Sequence, residues 1–435
     1  MMFINLNDIT QKVDFIKALK IGLGRKQGLF FPYAIPKLDD KIMYKLLIQD
    51  DFITCSSKIL SYFIDNKRLS LKDLKKIIKK AFNFPLKLQL LSHNLACFEL
   101  FHGPTLSFKD FGVRFMAQVL HYFYHNEKII ILTATSGDTG AAVAHAFYKI
   151  PNIEVIILYP YNKITSLQKK LFCTLKNNVT SIAIEGDFDD CQRLIKKSFS
   201  DTELTNIFNL NSANSINISR LLAQICYYFE LYKQTSKYSK SKKIIISVPS
   251  GNFGNLTAGL IAKNMGLPIH NIIAATNIND TVVQYLQHGY WKPQQTLSTL
   301  SNAMDVSIPN NWPRILKIFN DNHCAINKLE AYSITDYITS QNIKMLFQRY
   351  KYISEPHAAV GFSALQYKYC TPDTFNIFLG TAHPAKFQKY ILQLLKYKVL
   401  LPNVLLYYAK KNNQKHVLPN NFNVFKNFLK KHIKI

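Results

Sequence analysis

With 435 residues, 48% of them hydrophobic and 13% aromatic, the chain can bury enough apolar surface to offset its conformational entropy; this excludes disorder as its main state and predicts two or three packed lobes. No apolar run approaches the ~18 residues that cross a bilayer, and the opening MMFINLNDITQKVDF lacks a basic stretch followed by an apolar one, so neither a membrane nor a secretory route is expected and the cytoplasm is. The net charge of +27 would suit a polyanionic partner, but the lysines are spread along a chain equally rich in Asn, Ile, Tyr and Phe, which reads as a solvated surface and no nucleic-acid partner.

Residues 1–95 read as a cap of mixed helix and loop, with turn signals at Gly22, Gly24, Pro32 and Pro36 and a helix ending near Pro85. In that helix Leu71, Leu74, Ile77, Ile78 and Phe82 share one face, Ser70 and Asp73 resemble a capping box, and the basic run Lys75–Lys80 takes the polar side. From Phe98 onward, short apolar β-branched runs alternate with helical stretches: 128–133, 155–159, 179–184, 244–248, 272–275 and 375–379. Such alternation is the mark of βαβ units around a parallel sheet covered on both faces, so the fold class is α/β, with a catalytic region of two lobes over residues 96–400. The polar, lysine-rich stretch Tyr232–Lys243 reads as a surface loop, and residues 401–435 as a helical tail with a further basic run at Lys426–Lys434. Cys55, Cys97, Cys173, Cys191, Cys226, Cys324 and Cys370 stand singly, without a C-x-x-C pair or neighbouring histidines; they read as reduced core thiols, and no metal site is expected.

Three strand-loop-helix junctions carry chemistry. In IIISVPSGNFGNLTAG a strand runs into Ser250, Gly251, Asn252, Phe253, Gly254 and Asn255 and then a helix; glycines that turn N–H groups inward at a helix start make a phosphate cradle. It has neither the lysine of a P-loop nor the spacing of a dinucleotide fingerprint, so ATP and NAD are not supported. In ILTATSGDTGAAVAHAF a second strand meets Ser136, Gly137, Asp138 and Thr139, placing more donors at the sheet edge where open α/β folds bind ligands. In FHGPTLSFKDFGVRF, Lys109 opens a helix, where the positive helix end and apolar neighbours both disfavour its ammonium form; an amine so placed can attack an aldehyde. The simpler alternative is a surface lysine paired with Asp110.

In order and spacing, FHGPTLSFKDFG, SGDTGAAVAHAF, NSANSINISRLLAQ, VPSGNFGNLTAG, LSNAMDVSIPNNWPR, SEPHAAV and LGTAHPAKF resemble the motifs of the bacterial threonine synthase family, over nearly the whole chain. The resemblance implies a pyridoxal 5′-phosphate enzyme of fold type II, tryptophan synthase β-like, that converts O-phospho-L-homoserine and water to L-threonine and phosphate. By the same resemblance Lys109 is the Schiff-base lysine, Gly251, Asn252, Phe253, Gly254 and Asn255 hold the cofactor phosphate, and Thr381 faces the pyridine nitrogen. A hydroxyl at that place enforces a pyridinium less than a carboxylate would. Asp138 falls where related enzymes often carry an Asn facing the ring's phenolic oxygen, and Asn255 where relatives commonly carry Asp. Ser136 and Thr139 are implied at the substrate carboxylate, and Asn214, Ser215 and Arg220 at its phosphate, for which an arginine fork is physically suited. Glu355 and His357 also match the family but receive no role. The alternative activity is a fold type II lyase of the serine/threonine dehydratase kind, which needs no second phosphate site. Monomer and homodimer both remain open.

Overall fold

The computed structural model describes residues 1–239, 242–369, 371–414 and 416–433. Cys370, Lys434 and part of the 237–243 basic run therefore lie outside the described residues; Cys55, Cys97, Cys173, Cys191 and Cys226 are buried, Cys324 is half-buried, and all six are free thiols.

The chain opens on a small antiparallel sheet ordered Asp8–Asp14, Met2–Asn5, Phe30–Pro32, where only helix and loop were expected. Met2–Asn5 and Phe30–Pro32 are too short to show alternation; Phe3, Phe30 and Phe31 are fully buried, and the Asn5 amide donates to Gln11 Oε1 at 2.7 Å and Arg25 O at 2.8 Å. Short helices follow, among them Leu71–Ala81, which buries Leu74, Ile77 and Ile78 as its spacing requires. Its capping box is half made: Ser70 Oγ accepts from Asp73 N–H at 3.1 Å, but the Asp73 carboxylate returns to the Ser70 hydroxyl rather than to its backbone.

Two larger sheets form the lobes. One runs Ala331–Ser333, Asn271–Thr276, Lys243–Pro249, Thr374–Gly380, Leu95–Glu99, Lys87–Ser92, parallel except for the last pair. The other, all parallel, runs His416–Pro419, Val179–Glu185, Ile153–Pro160, Ile129–Ala134, Leu210–Ser212. All six expected runs are strands, and the central ones are buried on both faces, as continuous Ile, Val and Leu runs demand.

Two expectations need correction. The stretch from Tyr232 is no loop: the helix Ile218–Ser239 continues through it, because Leu231, Thr235 and Ser239 bury one face at helical spacing and the Gln234 amide oxygen accepts from Leu88 N–H at 3.0 Å. Residues 240 and 241 of that stretch lie outside the described residues. The tail is not helical alone, since His416–Pro419 adds a parallel strand to Val179–Glu185 and the helix Phe422–His432 packs Phe425 and Leu429 beneath the sheet.

Candidate active site

The carboxyl ends of strands from both lobes deliver Ala134, Pro249 and Thr381 to one cavity. All thirteen residues singled out in the sequence line it: Lys109, Ser136, Asp138, Thr139, Asn214, Ser215, Arg220, Gly251, Asn252, Phe253, Gly254, Asn255 and Thr381. So do Gln224, Ala303, Met304 and His357, which sequence reasoning left without a role. Gln224 was within reach, one helical turn after Arg220. Ala303 and Met304 lie in LSNAMDVSIPNNWPR, which matches the family as a motif but has no periodicity that would assign it a role.

Three helices begin at this cavity: Lys109–Tyr124, Asp138–Phe147 and Gly254–Asn264. None has a side-chain hydrogen bond from its N-cap residue, though at the second the Thr135 hydroxyl accepts from Gly137 N–H at 2.9 Å and Gly140 N–H at 2.7 Å. The positive helix ends face the cavity, where they favour an anion. At the third helix, Phe253 adopts the left-handed region (φ 59°), and a Cβ on Gly251 would lie 2.7 Å from Met304 Cα. Only glycine fits there, so this loop packs directly against the Ala303–Met304 backbone at the cavity wall. The Asn252 side-chain oxygen is spent on Asn310 N–H at 3.1 Å.

Lys109 is held by a turn that pairs with the strand end carrying Thr381: Phe108 N–H donates to Thr381 O, and His383 N–H to Leu106 O, both at 3.0 Å. The alternative pairing with Asp110 is not made, because the buried Asp110 carboxylate accepts from the Thr105 hydroxyl at 2.7 Å and the Thr105 N–H at 2.9 Å. Asp138 is taken by Lys386 at 2.9 Å and Glu355 by His357 at 2.5 Å. Each nearby carboxylate thus has another partner, and the amine is left unbridged. Burial, opposed by Asp138 and assisted by Lys386 and Arg220, brings the Lys109 ammonium pKa down to about 8.

Arg220 is 3% exposed, and one of its Nη atoms donates to Ala213 O at 2.6 Å. Its Nε has no partner, and no carboxylate pairs with it among the described residues. Burial lowers its pKa to about 10. The hydroxyls of Ser136, Thr139 and Ser215 likewise have no protein hydrogen bond among the described residues. Asn214 differs: its amide grips Ala134 O at 2.9 Å and Ala134 N–H at 3.3 Å, so it shapes the strand end. Asn255 directs its amide oxygen to the Tyr227 and Tyr228 hydroxyls at 2.6 and 2.8 Å, leaving its buried Nδ2 unpartnered at the cavity wall.

Glu355 caps the helix Pro356–Gln366 through the N–H groups of His357 and Ala358. Because Ala303 N–H donates to His357 Nε2 at 3.2 Å, the ring proton sits on Nδ1, facing Glu355. The Thr381 hydroxyl is 3.5 Å from Glu355 Oε1. These two residues therefore brace Thr381 on one side and the Ala303–Met304 loop on the other.

A glycine-rich turn at a helix start, unpartnered buried donors on Asn255 and Arg220, and an amine unbridged among the described residues together fit an aldehyde that carries a phosphate. Residues 84–374 match the family described as pyridoxal-phosphate dependent enzyme, and the α/β lobes are those of fold type II. Residues 2–82 match the family described as threonine synthase N terminus. The threonine synthase of Buchnera aphidicola subsp. Baizongia pistaciae is 53% identical over 432 residues, covering 99% of both chains. The crystal structure of threonine synthase from Escherichia coli superposes with a TM-score of 0.96 at 48% identity, and that of pyridoxal-phosphate-bound threonine synthase from Brucella melitensis with 0.91 at 28%, each covering 100% of both chains. The chain belongs to the threonine synthase family.

The depressed Lys109 pKa makes a rate prediction. Only the neutral amine attacks an aldehyde, so loading of the cofactor-free protein with pyridoxal phosphate should speed up as pH rises toward 8 and level off above it. Growth of the visible absorbance band after mixing measures that rate; a rate still climbing steeply at pH 10 would show an ordinary lysine.

Proposed function

We propose that this cavity converts O-phospho-L-homoserine and water to L-threonine and phosphate. The observation that carries the reading is a buried guanidinium without a carboxylate partner on the same cavity as the glycine cradle: two places for strong anions, one for the cofactor and one for a phosphorylated substrate. The backbone of Gly251–Asn255 would hold the cofactor phosphate, Lys109 would hold its aldehyde carbon, and Thr381 would meet its ring nitrogen, all three on the wall of this one cavity. Once bound, the cofactor would supply an electron sink that acidifies the hydrogen on the substrate's amino-bearing carbon and then one on the carbon beside it.

The protein's own groups do the rest. Ser136 and Thr139 orient the substrate carboxylate; Arg220 and Ser215 bind its phosphate and steady it as it leaves. The Lys109 amine would take the Cα hydrogen; loss of a Cβ hydrogen then lets phosphate leave from Cγ, water adds at Cβ, and protons returned to Cγ and Cα complete threonine. The protein works in the cytoplasm, a reading supported by free cysteines among the described residues and by the lack there of any helix long and apolar enough to cross a membrane.

Purified protein loaded with pyridoxal phosphate and given O-phosphohomoserine should release phosphate and threonine in equal amounts. Turnover of serine or threonine to a keto acid and ammonia, without phosphate release from O-phosphohomoserine, would transfer the assignment to the dehydratase-like lyases.

A further inference from the structure

Lys386 lies in the helical turn Pro384–Phe387 that follows the strand Thr374–Gly380, and its side chain is fully buried. Its ammonium donates to Asp138 Oδ1 at 2.9 Å, and the Asp138 side chain is 3% exposed. Gln168 adds a weaker contact to the same oxygen at 3.3 Å. Asp138 belongs to the lobe of the five-stranded sheet and Lys386 follows a strand of the other, so the pair spans the two lobes. Asp138 lines the cavity; Lys386 stands behind it.

A carboxylate is a poor wall for a cavity built to take phosphates. At short range and low dielectric it would repel an anionic ligand unless its charge were cancelled. The ammonium of Lys386 provides that cancellation from behind, where it takes up no ligand space. Burial alone would push the Asp138 carboxyl up, but Lys386 and then Lys109 outweigh it and hold the pKa down to about 2.

We propose that Lys386 is a positioning residue that makes Asp138 compatible with an anion-binding cavity, so the two act as one neutral unit. The proposal rests on the cofactor assignment and not on the identity of the substrate. Its test is pyridoxal phosphate affinity, measured by equilibrium dialysis on refolding-competent, cofactor-stripped full-length protein, so its failure would leave the substrate reading untouched.

Lys386→Met strands a buried carboxylate at the cavity wall and should weaken cofactor affinity about 10- to 100-fold, whereas Asp138→Asn leaves an uncancelled ammonium, which attracts an anion, and should hold affinity within about 3-fold or raise it. The double variant Asp138→Asn/Lys386→Met removes both charges and should return to within about 3-fold of the unaltered protein. Lys109 is faced by Asp138 and Glu355, which raise its proton affinity, and by Lys386 and Arg220, which lower it. The pH at which loading levels off should therefore rise in Lys386→Met and fall back in the double variant. A double variant that binds no better than Lys386→Met, or fails to fold by circular dichroism, overturns the proposal, as does Lys386→Met with unchanged affinity or Asp138→Asn with affinity as low as that of Lys386→Met.

Discussion

Lys109→Ala should lose the visible absorbance band given by pyridoxal phosphate in the unaltered protein, and its turnover should fall about 10⁴-fold or more. Two roles vanish at once, the covalent hold on the cofactor and the base for the Cα hydrogen, and nothing nearby can replace them. Lys386 is the other buried amine at the site, but it stands behind Asp138 and is tied to it. The helix that Lys109 opens should form regardless, since Asp110, Phe111, Val113, Phe115 and Met116 anchor it in the core and its N-cap contributes no side-chain bond. A folded protein without the band is the expected result, read by circular dichroism and by a spectrum between 300 and 500 nm. Retention of the band would move the attachment point to another lysine and undo the site as described.

Arg220→Met should leave that band in place while kcat/KM for O-phosphohomoserine falls about 10²-fold or more, because a charge-assisted, two-pronged contact to a dianion is lost from a buried position. Methionine keeps the stem packed where Gly112 approaches the Arg220 backbone, a spot where even a Cβ on Gly112 would come within 2.9 Å of Arg220 O. Steady-state kinetics beside a cofactor titration separate two outcomes. If cofactor affinity collapses and the KM of the residual activity does not move, Arg220 serves the cofactor phosphate and the second anion position lies elsewhere along Ser136, Thr139 and Ser215.

The parts of this protein legible in its sequence are those with a local rule. Buried parallel strands announce themselves as β-branched runs, and the three ligand-facing loops announce themselves as small residues between a strand and a helix. What escaped was decided at long range. Met2–Asn5 is a strand only because Phe30–Pro32 and Asp8–Asp14 lie on either side of it, and His416–Pro419 only because Val179–Glu185 had an open edge. The stretch from Tyr232 looked like loop because its lysines are polar, yet its helix is fixed by what its buried face meets. Lys386 was quoted within LGTAHPAKF and passed over, since nothing in a sequence shows that a lysine will be stripped of water and set against an aspartate 248 residues away. Glu355 and His357 matched a motif without a role; the role is to brace, and bracing is visible only once Thr381 and Ala303 are seen on either side of them.

The strand His416–Pro419 bears on how the encoded chain tolerates damage. Every residue that lines the cavity precedes it, so a premature stop codon after residue 400 would spare the whole reactive apparatus. It would nonetheless unseal Val179–Glu185, presenting a raw row of backbone donors and acceptors and an apolar underside no longer covered by Phe425 and Leu429. Such a lesion would register in a cell as clumped polypeptide rather than as faulty chemistry, and the last turns of the chain are retained as a weather seal for a sheet laid down long before them.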